Sequence, residues 1–388
     1  MPSSESLILE IHWVLGELKM SLYPAAEAAG TVKQYSRCPI SLEYVSFLCN
    51  ELSFLIDRSS NGKLNAAGLA TLRDNGQLLW EHLLTAEVKA ALKAKPSALL
   101  SLLMDEELVF IPWELLFDGS EFLCLRFDLG RLMSTPRKAH MASSRELSGK
   151  PRMLVIADPT SDLPSAYSEG LAIRKKFDCS GKVKVDFVSK RIDTASVKRS
   201  LHEYDIVHFA GHCEYDGARP DRTGWLLSDG FLSPEDISRM AVAGPGLVFS
   251  NSCHSARSEG GDLEKRTYCL ASAFLLSGVR HYLGTMRGLE DSSGLRFAGG
   301  FYPLLLQGRP IGEAFRLARK ILKNADPSNV AWACYVLYGD PGYTLEKNGK
   351  RYRGRRGLLE NLRRAVAFPR AMKALSRRAQ NGLEKAQS

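Results

Sequence analysis

No Cys-x-x-Cys pair occurs in this chain, and its eight cysteines, at 38, 49, 124, 179, 213, 253, 269 and 334, keep no regular spacing. With 388 residues available for a core, the chain needs no covalent staples. Scattered thiols therefore argue against a disulfide framework and for a reducing compartment, where a cysteine can serve as a nucleophile. No apolar run approaches the ~18–20 residues of a membrane span. The first residues, MPSSESLILEIHWVL, carry a glutamate where a signal peptide needs basic residues and have no small-residue cleavage site. A cytoplasmic location is the expectation. Also missing are a GxGxxG turn, a GxxxxGK[ST] phosphate loop and a 34-residue helical repeat, so nothing in the pattern calls for a nucleotide or any other cofactor.

Residues 1–344 taken together lack an excess of either charge, and the C-terminus has one. Residues 345–388 hold thirteen Lys and Arg against three acidic residues, a balance of +10 in a chain of net +9, which leaves −1 for residues 1–344. The basic character belongs to the tail, so the overall charge does not imply a nucleic-acid surface over the whole protein, and no specific nucleic acid is expected as a partner. In the tail, LLENLRRAVAFPRAMKALSRR spaces Leu358, Leu362 and Val366, then Met372, Leu375 and Ala379, near the helical period on either side of Pro369. Two short basic amphipathic helices would suit an anionic membrane, an acidic partner or, as a weaker reading, nucleic acid; a solvated extension fits the same composition.

What is present changes period along the chain. ESLILEIHWVLGELKM and GLATLRDNGQLLWEHLLTAEVKAALKA place apolar residues at helical spacing and read as helices. SALLSLLMD, LVFIPWELL, FLCLRF and RLMST are short apolar runs that read as strands, with a hairpin around DGSE. Residues 137–151 are polar and read as a linker. From residue 152 the pattern alternates: RMLVIAD strand, SAYSEGLAIRKKF helix, VKVDFVSK strand, TASVKRSLH helix, YDIVHFAG strand, SPEDISRM helix, LVFSN strand, then VRHYLGT and AWACYVLYG as strands around three further helices. Such alternation predicts an α/β fold with a mostly parallel sheet. In that architecture functional groups collect at the carboxyl ends of strands. His212 directly follows YDIVHFAG, and Cys253 follows LVFSN.

A thiolate nucleophile needs a neighbouring base or cation and backbone amides aimed at the oxyanion. Cys253, before a loop of small residues, and His212, preceded by Gly211, have the chemistry for those roles. The same neighbourhood contains the ligand types for zinc, His208, His212, Cys213 and Cys253, but their spacings match no zinc pattern. Taken without context, Cys253 would read as one more buried structural thiol. His208 reads as a core or supporting histidine.

VHFAGHCEYD, FSNSCHSA, VRHYLGTMRGLEDSSGLRFAGGFY and AWACYVLYGDPGY, preceded by LVFIPWELLFDGSEFLCLRFDLGRLM and RMLVIADPTSDLPSAYSEG, resemble the CHAT family of caspase-like cysteine proteases over roughly residues 65–344. The resemblance implies a caspase-like α/β/α sandwich, preceded by a helical and strand-containing N-terminal region. It divides the chain into residues 1–148, a catalytic region 149–344 and the tail 345–388. It also implies a His212–Cys253 dyad that cleaves peptide bonds through an acyl-enzyme. The family commonly has glycine after the catalytic histidine; here the residue is Cys213, whose backbone amide, with that of Cys253, is the expected oxyanion donor. In separase-like relatives an acidic residue after Gly-Thr receives a basic P1 side chain. In GTMRGLEDSSG the candidates are Glu290 and Asp291, with Asp291 preferred, while Arg287 argues for an acidic P1.

A specific protein substrate, an upstream activator and a bacterial defence or cell-death circuit, such as activation of a gasdermin-like pore former, are what such relatives imply. A catalytically silent scaffold that recruits partners through the tail is the alternative.

Overall fold

The first elements form a β-hairpin, where apolar spacing had predicted a helix. In this computed structural model, which describes residues 5–345 except 31, 60–61, 138, 140–149, 217–221, 241–244, 257–268 and 289–290, strands β1 (Ser6–Val14) and β2 (Glu17–Pro24) pair antiparallel. Leu15 and Gly16 between them have φ of 50° and 85°. Two successive left-handed residues make the mirror-image turn that matches strand twist, and Gly16 supplies one at no steric cost. The strand's two faces explain the misleading period: Leu7, Leu9 and Ile11 enter the main core, while Ile8 packs with Tyr23, Leu103 and Leu132 on the other side. A strand buried on both faces shows no clean alternation.

Next come β3 (Ser36–Pro39), α1 (Leu42–Asp57), α2 (Ala66–Leu83), α3 (Ala86–Lys93) and β4 (Leu99–Asp105). The long helix expected over 68–94 is two helices, because Thr85 ends one and caps the other, its hydroxyl accepting from Val88 N at 3.4 Å. LVFIPWELL and FLCLRF, expected as strands, are instead two 3₁₀ turns, at Glu106–Leu108 and Trp113–Leu115, and the short α4 (Leu123–Arg126). Of the hairpin around DGSE there is one bridge, Phe117 opposite Phe122, across a turn in which Asp118 Oδ1 accepts from Ser120 N and Glu121 N. β5 (Asp128–Ser134) follows.

The alternating region folds as predicted: β6 (Arg152–Ala157), α5 (Pro164–Ser180), β7 (Lys184–Ser189), α6 (Thr194–Ser200), β8 (Ile206–Ala210), β9 (Cys213–Glu214), β10 (Gly224–Leu227), β11 (Gly230–Leu232), α7 (Pro234–Arg239), β12 (Leu247–Asn251), α8 (Leu270–Ser277), β13 (His281–Thr285), α9 (Asp291–Leu306), α10 (Ile311–Ala325) and β14 (Tyr335–Tyr338). Eleven strands form one mostly parallel sheet, in the order β3-β2-β1-β4-β5-β14-β13-β12-β8-β6-β7, and β9 to β11 form a small separate one. The bridge between Arg131 of β5 and Tyr338 of β14 joins the N-terminal and C-terminal strands into that single sheet.

β7 and β8 flank β6 on opposite sides, so the two successive crossovers run in opposite directions. Right-handed connections then put α5 and α6 on opposite faces. α5 packs with α9, and α9 with α10. The second face is closed where Trp225 stacks on Phe209 at 4.3 Å and meets Phe274 of α8 at 5.1 Å. Among the described residues no helix is long and apolar enough to cross a membrane. The tail from 346 and most of the polar linker, 138 and 140–149, lie outside the described residues.

The N-terminal strands bury one polar cluster. His12, 8% exposed, lies between Glu10 Oε1 at 3.0 Å and Asp105 Oδ1 at 3.2 Å, and Glu10 is also bonded by Tyr23 and Lys33. Burial alone would lower the His12 pKa, but the hydrogen bonds to Asp105 and Glu10 and their charges outweigh it and raise it to about 9. A histidine whose folded pKa is raised contributes stability that is complete below its ordinary value near 6.5 and is lost as pH rises to about 9. The stability lost by His12→Gln is therefore expected to be largest at pH 6 and to shrink by on the order of 3 kcal/mol by pH 9.5. Chemical denaturation of both proteins across that range checks it, and a difference independent of pH would refute it.

Candidate active site

β8 and β12 are neighbouring parallel strands, with Ala210 directly opposite Asn251. His212 and Cys253 each lie two residues beyond that pair. Neighbouring strands run ~4.8 Å apart, so the two residues leave the same sheet edge side by side. β6 is the next strand beside β8, so the loop that leaves the carboxyl end of β6 borders the same edge, where α/β sheets collect functional groups. Asp162, in that β6–α5 loop, accepts a hydrogen bond from His212 Nε2 at 3.1 Å. Its own loop is fixed by Asp158 Oδ1, which accepts from Asp162 N and Leu163 N, both at 2.9 Å. The Thr160 hydroxyl, opposed by burial, and then His212 hold the Asp162 carboxyl below the usual carboxylate range.

The turn carrying Cys253 is pinned by hydroxyls. Ser255 Oγ donates to Ser250 O at 2.9 Å and accepts from Thr285 N at 3.0 Å, while Thr285 Oγ1 donates to Ser252 O at 2.6 Å. Tyr282 OH donates to Ser255 O at 2.8 Å, and Trp225 Nε1 donates to Ser250 Oγ at 2.7 Å. These bonds hold the chain through a sharp change of direction in which His254 adopts φ of 56°. A non-glycine residue there costs energy, which the surrounding bonds offset. Cys253 itself is half-buried, and none of these pinning bonds uses its sulfur.

Cys213 is buried and opens β9, opposite Trp225. Leu226 N donates to His212 O at 2.9 Å, the pattern of a pair whose own N–H groups face away from each other. The Cys213 amide is thus directed away from β10. Its thiol is pushed well above the ordinary range by burial and then by the neighbouring Cys253, against a hydrogen bond with Ser252.

His208 is fully buried and points to the helical face. Its Nε2 lies 2.8 Å from Glu169 Oε1 of α5 and its Nδ1 lies 2.9 Å from Tyr302 OH of α9. Asn251 Nδ2 donates to the same Glu169 oxygen at 2.6 Å, and Tyr335 OH donates to Asn251 Oδ1 at 2.9 Å. Glu169 therefore bolts β8 to β12 four residues before His212 and two before Cys253. Among the described residues no group of three or more His, Cys, Asp or Glu is arranged to hold a metal ion.

Glu290 and the Asp291 side chain lie outside the described residues. Arg287 reaches α1: Nη1 lies 3.5 Å from Asp57 Oδ2 and Nη2 donates to Ser53 Oγ. A cavity of about 560 Å³ lined by Lys93, Asp118, Arg126, Arg316 and Lys320 lies beside the start of β4 and shares no residue with this site. Sequence reasoning missed Asp162, Glu169 and Asn251. Asp162 carried a readable signal, since DPTSD is a polar cluster at the end of a buried strand, the place where α/β sheets collect function.

The sequence model of the CHAT domain family matches residues 73–340. No curated protein matches the chain. Among solved structures it is similar to two of the Saccharomyces cerevisiae separase–securin complex, at 11% identity in both. At 2.6 Å resolution the TM-score is 0.56, with 86% of this chain and 30% of the other covered; at 3.0 Å it is 0.53, with 87% and 30%. The chain thus spans 30% of the length of that relative. The complex of Porphyromonas gingivalis RgpB pro- and mature domains aligns at 11% identity over 80% of this chain and 79% of the other, with a TM-score of 0.46. At such identity the likeness to separase is one of fold, the mostly parallel α/β sandwich of the caspase-like class.

Proposed function

This chain belongs to the CHAT domain family and has a caspase-like α/β fold, and from that premise we propose that it is a cysteine endopeptidase in which His212 and Cys253 form the catalytic dyad. One observation carries the reading: His212 and Cys253 leave adjacent parallel strands two residues past a matched pair, on a turn and a loop held independently of their reacting atoms. Cys253 Sγ attacks the scissile carbonyl carbon, and the oxyanion that forms is received by the Cys213 and Cys253 backbone amides. With Nε2 engaged by Asp162, Nδ1 of His212 exchanges the proton with Cys253 and delivers it to the leaving amine. The carbon–nitrogen bond breaks, a thioester remains, and water attacks it to release the acid and restore the thiol.

The target is a specific protein, cleaved after a basic P1 residue received by Asp291 and Glu290, within a bacterial defence or cell-death circuit such as activation of a gasdermin-like pore former. Residues 149–344 carry the catalytic groups and 1–148 complete the sheet, while the basic residues from 345 meet an acidic partner or anionic membrane. That the separase structures are complexes with securin supports a protein partner or upstream activator here. The test is covalent. Peptidyl acyloxymethyl ketones differing at P1 are incubated with the purified protein and the modified residue is mapped by mass spectrometry. Arg and Lys probes are expected to alkylate Cys253 faster than Asp or Leu probes. Failure of every probe to modify Cys253 would refute the peptidase reading and favour a catalytically silent scaffold.

A further inference from the structure

The segment after β13 forms one flank of the nucleophile: a β-carbon built on Gly288 would lie 3.9 Å from Cys253 Sγ. Its near end is tied to the sheet. Met286 N donates to Cys334 O at 2.8 Å, Cys334 Sγ lies 4.0 Å from Gly288 O, and Met286 Sδ lies 4.0 Å from buried Arg131. The remaining residue, Arg287, turns outward across the interface with α1. Its side chain is 14% exposed, Nη1 lies 3.5 Å from Asp57 Oδ2, and Nη2 donates to Ser53 Oγ.

Three features make this a built contact. Ser53 and Asp57 are one turn apart and share a face of α1. Ser53 Oγ already donates its proton to Cys49 O at 2.6 Å, so what it offers Arg287 is a lone pair, which suits a group that can only donate. Asp57 is the last residue of α1, at the end of the helix where unpaired carbonyls favour a cation. An arginine that had been a candidate to select acidic P1 residues has its charge directed at a helix 234 residues away in sequence.

We propose that Arg287 is a positioning residue: by binding Ser53 and Asp57 it fixes residues 286–288 against Cys253 and makes α1 the element that sets the shape of the cleft. The proposal rests on the peptidase reading for its catalytic consequence, though not for its structural one. Any displacement of α1 loosens the flank of the nucleophile, so a partner that binds α1 changes turnover without entering the cleft.

The test uses the full chain and the variants Arg287→Met, Arg287→Lys, Asp57→Asn, Ser53→Ala and the double variant Asp57→Asn/Arg287→Met. Hydrogen exchange of the 286–288 amides needs no activity and is expected to quicken in Arg287→Met and Asp57→Asn. With the peptide preferred at P1, Arg287→Met is expected to lower kcat by about tenfold or more, with KM changed far less. The double variant should be no worse than Arg287→Met, because both remove one contact, and Arg287→Lys should recover part of the loss. Unchanged exchange in Arg287→Met overturns the proposal whether or not the protein cleaves peptides. So does a loss confined to KM for acidic P1 peptides and absent from Asp57→Asn, which would make Arg287 a substrate ligand. A wild-type protein with no peptidase activity refutes the earlier reading alone, and exchange still decides this one.

Discussion

Cys253→Ala is expected to lower kcat/KM for the preferred peptide by at least about 10⁴-fold, and His212→Ala by about 10²–10⁴-fold. The first removes the atom that forms the covalent intermediate, and no substitute is at hand: the nearby Cys213 thiol is buried and its pKa is pushed well up. The second leaves the nucleophile in place but removes the group that moves its proton. The double variant should be little worse than Cys253→Ala alone, because residues that act as a unit do not contribute separately. Both single variants should unfold close to wild type. The Cys253 turn is held by Ser250, Ser252, Ser255 and Thr285, and His212 is 39% exposed at its side chain, with Asp162 as its hydrogen-bond partner. Peptide hydrolysis measured beside thermal unfolding separates loss of chemistry from loss of fold. Residual turnover in Cys253→Ala within tenfold of wild type would remove Cys253 from the mechanism.

That the two residues could be found at all follows from the physics of parallel sheets. β6, β8, β12 and β13 are buried on both faces, so each reads as an apolar run that stops abruptly, and the polar residues just past the stop mark the functional edge. His212 and Cys253 stand at two such stops. The same reading failed on β1, which is also buried on both faces but whose apolar residues happened to fall near helical spacing; the signal that separates the two cases is Gly16, at a turn that needs a positive φ. Glu169 and Asn251 were invisible for a different reason. Their partners lie 39 and 82 residues away, and no local pattern distinguishes a carboxylate that will be buried beside a histidine from one that faces water.

The stretch LVFIPWELL shows the cost of that blindness and gives the second large prediction. Its apolar residues and β-branched Val109 and Ile111 suit a strand, yet it forms turns because Arg131, 1% exposed, captures it. Arg131 Nη1 donates to Val109 O at 2.6 Å and Nη2 to Ile111 O at 2.9 Å. Its Nε donates to Glu114 Oε1 at 2.9 Å and Nη2 also donates to Glu114 Oε2. These carbonyls face Arg131 rather than a neighbouring strand, Ile111 O also accepts from Trp113 N at 2.9 Å, and Pro112 has no N–H to give a ladder.

Glu114 is equally buried. A buried pair is costly to form but far costlier to break, since the survivor is left charged and unpaired. Glu114→Gln and Arg131→Met are each expected to destabilise the protein by about 3–5 kcal/mol. The double variant Glu114→Leu/Arg131→Met should recover part of that loss but not all, because the Val109 carbonyl loses its Arg131 donor and Ile111 O keeps only Trp113 N. Denaturant unfolding of the three variants measures it, and a loss below about 1 kcal/mol in Glu114→Gln would show that the pair is not desolvated as described. The effect should also reach the cleft: Arg131 touches Met286, the residue before Arg287. Arg131→Met is therefore expected to quicken amide exchange at 286–288 under conditions where the protein is still folded, joining the stability of the N-terminal half to the order of the nucleophile's flank.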